Sequence, residues 1–338
     1  MKLLSFTLPL LCALPLLAGC LEFHSGAMVG EPKTATFASI DGARVRYLDV
    51  GKGPPVVLIH GFASSMETWD LLIPELSKTH RVLALDLKGF GWTDRPAGDY
   101  SPKAEAHLVL GLLAARGIEK AAFVAHSWGS SVTLEIALAA PERVSRIALY
   151  DAWVYEGQLP TFFVMSRAGG VGEALFSMYY NERADERMSL AFFDKTLISE
   201  PLAEAVERSL ERPGTVAAAL AGVRGMHYTE VESRYRTIDK PTLLLWGRED
   251  AVTTLPFAER LSRDLPNARL VVYPRCGHFP MLEAKNASNA ELIRFLDEDD
   301  KAPAAKPEPA AAVVAPQVDK VDRADKAAPV EPKKDEVQ

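Results

Sequence analysis

Cysteine is nearly absent: the 338 residues contain three, Cys12, Cys20 and Cys276. Two of them fall in the first twenty residues, so the body can build neither a disulfide framework nor a cysteine zinc site. Cys276 reads as a small apolar residue near a loop. Basic excess is also missing. Lys and Arg number 38 against 45 Asp and Glu, a net charge of -7, which gives a nucleic-acid partner no electrostatic support. No Walker loop, dinucleotide-binding glycine pattern or metal-ligand spacing occurs, so neither cofactor nor metal is implied. No apolar run spans a bilayer comfortably, because the longest, residues 3–18, is broken by Pro9 and Pro15.

That run follows Met1-Lys2 and fits the apolar region of a secretory signal. It ends in Leu17-Ala18-Gly19-Cys20, which resembles the bacterial lipobox. The resemblance implies cleavage after residue 19, a diacylglyceryl group and a fatty acyl chain such as palmitate on Cys20, and a membrane-anchored protein. Leu21 rather than Asp after the cysteine points to the outer membrane of a bacterial envelope more than to the inner one. Residues 20–33 then read as a tether. At the other end, residues 300–338 are rich in Ala, Pro, Lys and Glu with no apolar period, which cannot bury a core and reads as a disordered tail.

Between these ends the chain alternates strand and helix signals. Residues 36–40 and 45–50 alternate around Asp41-Gly42, a hairpin signal. Val56-Val57-Leu58-Ile59 is an apolar strand of the kind buried on both faces, and it runs into His60-Gly61-Phe62. A helix is expected over 67–77, a strand over 82–86, then the loop Asp86-Leu87-Lys88-Gly89-Phe90-Gly91, a helix over 103–116 and a strand ending at Ala125. Residues 144–150 form another strand. Helices alone are expected over 152–236, among them 171–180, 184–193 and 202–210. The core pattern resumes with a strand over 242–247, a helix, a strand over 270–273 and a last helix over 287–296. This order predicts a doubly wound, mostly parallel α/β sheet, whose site lies at the carboxyl ends of its strands.

The chemistry centres on Ala125-His126-Ser127-Trp128-Gly129, a strand, a sharp turn and a helix with serine at the corner. A serine hydroxyl needs an imidazole to take its proton, and the imidazole needs a carboxylate to orient it. The turn resembles the small-x-Ser-x-Gly nucleophile elbow of the α/β-hydrolase family, with Ala125 where glycine is usual. His60-Gly61 and the loop from Asp86 to Gly91 resemble that family's loops as well. The likeness covers about residues 36–298, divided here into core residues 34–151, a helical cap at 152–236 roofing the site, and core residues 237–299. It implies Ser127 as nucleophile, Asp250 of Gly-Arg-Glu-Asp as acid and His278 of Cys-Gly-His as base, in the family's chain order. It implies the backbone N–H groups of Trp128 and Phe62 as the oxyanion hole, with His60, Gly61 and Gly129 in support. Asp151, at the next strand end, is the rival acid. His126 reads as structural, His227 as a cap residue, and His80 and His107 as surface.

The fold is therefore expected to carry a lipid-anchored serine hydrolase cleaving a carboxylic ester with an apolar portion, a small or lipid-like molecule. The cap's Trp153, Phe162, Phe163, Met165, Phe176, Met178, Tyr179 and Tyr180 supply an apolar chamber or the cap's own core. Serine at 127 disfavours the dehalogenase and epoxide-hydrolase reactions, which use aspartate. Two alternatives stay open: carbon–carbon bond hydrolysis of a diketone or perhydrolysis with the same triad, and a non-catalytic envelope binding protein.

Overall fold

The computed structural model describes residues 21–179 and 184–298. Residues 1–20, where a signal with Cys20 is expected, Tyr180 and residues 299–338, which include the expected tail, lie outside the described residues. In chain order the elements are β1 Thr36–Ile40, β2 Ala43–Val50, β3 Pro55–Ile59, α1 Ile73–Leu76, β4 Arg81–Leu85, α2 Pro102–Ala115, β5 Ala121–His126, α3 Gly129–Ala139 and β6 Val144–Tyr150. There follow α4 Thr161–Ser166, α5 Val171–Tyr179, α6 Ala184–Ala191, α7 Glu200–Leu210 and α8 Thr215–Gly225. The chain closes with β7 Thr242–Gly247, α9 Leu255–Asp264, β8 Ala268–Tyr273, α10 Pro280–Glu283 and α11 Lys285–Leu296.

The eight strands form one sheet in the order β1-β2-β4-β3-β5-β6-β7-β8. The β1–β2 and β2–β4 pairs are antiparallel and every later pair is parallel. This is the α/β-hydrolase fold. Because side chains alternate across a strand, each central strand feeds two cores. Val57, Ile59, Leu83, Leu85, Phe123 and Ala125 pack on one side with Leu108 and Leu112 of α2 and Val132 and Ile136 of α3. Val56, Leu58, Val82, Ala84, Ala122 and Val124 pack on the other with Trp69, Leu76, Leu292 and Phe295. Helices on both faces explain why these strands read as unbroken apolar runs.

Three expectations need correction. The helix expected over 67–77 is a 3-10 turn, Met66–Trp69, followed by the single turn α1. Pro74 cannot donate the N–H that would join the two. The expected tether is packed down: His24 pairs with Arg95 as an antiparallel bridge, Met28 is buried and Leu21 packs on the core. Its apolar residues at 21 and 28 have surface to cover, and Glu31 meets Arg44 at 3.0 Å. His80 is buried rather than on the surface, with Nδ1 2.9 Å from Thr79 Oγ1, while His107 is exposed.

Between β6 and β7 the described residues hold helices only. α4 and α8 were not foreseen. α8 (Thr-Val-Ala-Ala-Ala-Leu-Ala-Gly-Val-Arg-Gly) is small and apolar around most of its circumference, because it is buried on several sides and shows no polar stripe. Among the described residues no helix is long and apolar enough to cross a membrane.

Candidate active site

Ser127 follows β5 at the turn into α3, with φ +50, a left-handed conformation rare outside glycine. Backbone bonds hold it there: its N–H donates to Tyr150 O at 2.9 Å, and its carbonyl accepts from Trp153 N at 3.0 Å and Ser130 N at 2.9 Å. The close approach explains the glycines. A Cβ on Gly129 would lie 2.4 Å from His60 O and 2.8 Å from Ile59 O. One on Gly61 would lie 3.0 Å from Ser127 Cβ. Ala125, the departure from the usual elbow, sits fully buried in register with Ile59 and Leu149. Its methyl joins the core.

Asp250 follows β7 and His278 follows β8, and the parallel sheet brings them to the same edge as Ser127. His278 Nδ1 donates to Asp250 Oδ2 at 2.8 Å. Asp250 is saturated with donors: Val252 N at 2.7 Å and Thr253 N at 3.1 Å reach Oδ1, and Thr253 Oγ1 at 2.6 Å reaches Oδ2. Burial works against its ionisation, but the His278 imidazole and these hydrogen bonds outweigh it and hold the carboxyl well below the usual range. The proton on Nδ1 leaves Nε2 of His278 as the free base. Among the described residues no hydrogen bond yet closes the step from Ser127 Oγ to that nitrogen; such bonds tighten when substrate arrives.

The N–H of Trp128 precedes the first turn of α3, and the N–H of Phe62 follows Gly61 at the end of β3. Among the described residues neither N–H is taken by an intramolecular acceptor, so both are available to an oxyanion. His60 braces this loop: buried, it places Nδ1 2.7 Å from Gly61 O and accepts from Leu87 N through Nε2 at 2.9 Å. Burial pushes its protonation down, so it is neutral. His126 is structural in a specific way. Its Nε2–H donates to the carbonyl of His278 at 2.8 Å, and its ring packs against both His278 and Phe279.

Several contributors carried no sequence signal. Thr253 hydrogen-bonds Asp250, and Glu283 accepts Gly277 N at 2.9 Å through one oxygen and Phe193 N at 2.8 Å through the other. His278 N donates to Ala191 O at 2.6 Å, so the end of α6 is bonded to the histidine loop. Glu249 is exposed and accepts Cys276 N at 3.0 Å. His227 is exposed, and Cys276 is buried with its thiol pushed up by burial.

The walls beside Ser127 are aromatic. Phe62 packs edge-on against Phe90, Trp128 and Phe163, and Trp153 stacks on Phe163 with centroids 5.7 Å apart. Phe176 is buried behind them, whereas Met165 and Met178 face solvent and line no chamber. A separate cleft of about 580 Å³, lined by Leu21, Phe23, Tyr100, Leu220 and Arg224 among others, contains none of Ser127, Asp250 or His278.

Comparison with known proteins agrees with this architecture. Residues 54–285 match the α/β hydrolase fold family. Over 278 residues the chain is 31% identical to a 2-hydroxymuconate semialdehyde hydrolase of Pseudomonas sp. strain CF600, covering 77% of this chain and 93% of that one. It is 29% identical over 281 residues to a 2-hydroxy-6-oxo-2,4-heptadienoate hydrolase of Pseudomonas putida, covering 76% and 92%. Among solved structures, a serine-to-alanine variant of the meta-cleavage product hydrolase CumD from Pseudomonas fluorescens IP01, complexed with acetates, superposes with a TM-score of 0.64 at 29% identity, covering 77% and 96%. The chain belongs to the α/β-hydrolase family and is a hydrolase of that type.

Proposed function

We propose that this hydrolase cleaves a carbon–carbon bond next to one ketone of a diketone or its enol, whose second carbonyl takes up the departing electron pair as an enolate. The substrate is of the kind made when an aromatic ring is opened beside its hydroxyls. The observation that carries it is the 31% identity to a 2-hydroxymuconate semialdehyde hydrolase across nearly all of that protein. In this reading Ser127 Oγ attacks the ketone carbon while His278 Nε2 takes its proton and Asp250 steadies the imidazolium. The N–H groups of Phe62 and Trp128 hold the oxyanion. Collapse breaks the carbon–carbon bond, and the departing enolate carbon takes the proton from His278. Water, deprotonated by His278, then releases the acyl group as a carboxylic acid and frees Ser127. One water is consumed, giving one acid and one ketone.

A second reading, ester hydrolysis, is favoured by the aromatic and uncharged wall of Phe62, Trp128, Phe163 and Trp153, which suits an apolar acyl group. Loss of the visible absorbance of a 2-hydroxy-6-oxo-dienoate, set against release of p-nitrophenol from esters of graded acyl length, separates the two. Faster turnover of the dienoate supports the first reading, and turnover of esters alone replaces it with the second. Failure on both, with no fluorophosphonate labelling of Ser127, leaves the binding-protein alternative. A labelling rate equal in wild type and Ser127→Ala removes the triad reading altogether.

The envelope location belongs to this proposal too, and its support is Leu17-Ala18-Gly19-Cys20. Metabolic labelling with a fatty acid is expected for the full chain and lost in Cys20→Ser. Labelling that survives the substitution overturns it.

A further inference from the structure

The mechanism just proposed leaves one buried acid unused. Asp151 follows β6, between the strands that deliver Ser127 and Asp250, with φ +44, a strained conformation for a residue with a side chain. Its backbone N–H donates to Leu245 O at 3.0 Å, and its carbonyl lies 3.0 Å from Thr253 Oγ1, whose proton goes to Asp250 Oδ2. The side chain is fully buried. Oδ1 accepts from Gly247 N at 2.9 Å, but Oδ2 has no donor among the described residues. What the carboxyl meets is Asp250. One oxygen of each acid and a ring nitrogen of His278 lie within 4.8 Å of one another.

Two carboxyl groups buried side by side cannot both ionise without a large desolvation and repulsion cost. The other titratable groups facing Asp151 are Glu283, Cys276, Tyr150 and Tyr273, and none is a cation. The donors decide which acid keeps the proton. Asp250 receives four, including His278, whereas Asp151 receives one. A proton on Asp151 Oδ2 turns the orphan acceptor into a donor aimed at Asp250, and leaves a single negative charge beneath the imidazole.

Resting on the proposed triad, we infer that Asp151 is a positioning residue, held protonated against Asp250, that becomes the carboxylate partner of His278 when Asp250 is neutralised. In that event Asp151 gives its proton to solvent, and the imidazolium formed as Ser127 reacts is again paired with one carboxylate. The site thus holds its counter-ion in two alternative places.

The rate of fluorophosphonate labelling of Ser127, followed from about pH 5 to about pH 9 with thermal unfolding as a check on folding, tests this. Asp151→Ala should slow labelling about tenfold at neutral pH, and Asp151→Asn should restore it to within about threefold of wild type, because the amide donates to Asp250 as the protonated acid does. Asp250→Asn should lose about 100-fold, not the roughly 10⁴-fold seen where a triad acid has no substitute, and should regain rate with rising pH as Asp151 ionises. Asp151→Asn in the Asp250→Asn background should slow labelling at least about tenfold further and abolish that rise. Equal rates and pH profiles for the Asp250→Asn single and the double variant overturn the inference. So does an Asp250→Asn profile with no rise, which needs no change at Asp151. Labelling that persists in Ser127→Ala is a different outcome and sinks the triad reading instead.

Discussion

Around Ser127 the geometry is held by backbone and van der Waals contact: a left-handed φ, three main-chain hydrogen bonds, and two glycines pressed against neighbouring strands. Around His278 it is held by charge and side-chain hydrogen bonds: Asp250, Thr253, Glu283 and His126 each bond the loop or its partner. The two corners meet in one site but answer to different perturbations. The serine corner is sensitive to volume, because its carbonyls cannot move without moving β3 and α3. The histidine corner is sensitive to the removal of a proton donor or acceptor, because its ring and carboxyl stand on loops.

The largest expected effect is at Gly129. Gly129→Ala drives a methyl into two main-chain carbonyls of β3 and its end, so the elbow must shift. We expect about a 100-fold loss of kcat/KM and about 2–3 kcal/mol of stability, read by steady-state kinetics and denaturant unfolding. Wild-type kinetics in this variant would show that the serine corner tolerates volume after all. Next is Thr253→Val, which keeps the shape but removes the hydroxyl on Asp250 Oδ2, a bond to a charged group worth about 1.5–3 kcal/mol. A loss of about tenfold or more in kcat is expected, with a folded, well-ordered protein by circular dichroism. Gly61→Ala is milder. Its Cβ would stand 3.0 Å from Ser127 Cβ, where a few tenths of an ångström of movement suffices. About a fivefold fall in kcat/KM with near-native stability distinguishes it from Gly129→Ala, and equal damage at both glycines would break the ranking.

The smallest effect on turnover is expected at a buried acid distant in role from both corners. Glu105 of α2 is fully buried, accepts Lys88 N at 3.0 Å and leaves Oε1 without a partner. Burial pushes its carboxyl up to about 8. The folded chain therefore keeps a proton that the unfolded chain releases near pH 4.5, and stability falls as pH rises from about 4.5 to about 8. The slope approaches 1.4 kcal/mol per pH unit within that window. Glu105→Gln should flatten that slope in denaturant titrations while leaving kcat/KM within about twofold. A wild-type slope in the variant would place the titration elsewhere.

Most of the scaffold was legible because its signals are local. The apolar runs at 56–59, 121–126 and 242–247 can be buried on both faces only in a covered parallel sheet, and they are. Ser127, Asp250 and His278 were legible as separate strand-end residues, and the sheet order brings the last two to 2.8 Å. What stayed hidden depends on residues distant in sequence. Nothing in Thr253 or Glu283 marks them as supports until β6, β7 and β8 stand side by side. Asp151 could be named as a rival acid but not as a neighbour of the acid itself. The docking of residues 21–33 was invisible for the same reason: Gly, Ser, Pro and Glu signal a loop, while the bridge to Arg95 is made across 71 positions of chain.

That bridge has a mechanical meaning. His24 and Arg95 exchange two main-chain hydrogen bonds, at 2.9 Å and 2.7 Å. The Arg95 guanidinium bonds Thr215 at the start of α8, and Phe62 packs on the core cluster that includes Ala219, Leu220 and Val223 of α8. A pull applied ahead of Leu21 is therefore borne by the body, along a line that ends beside the aromatic wall of the site, rather than taken up by slack chain.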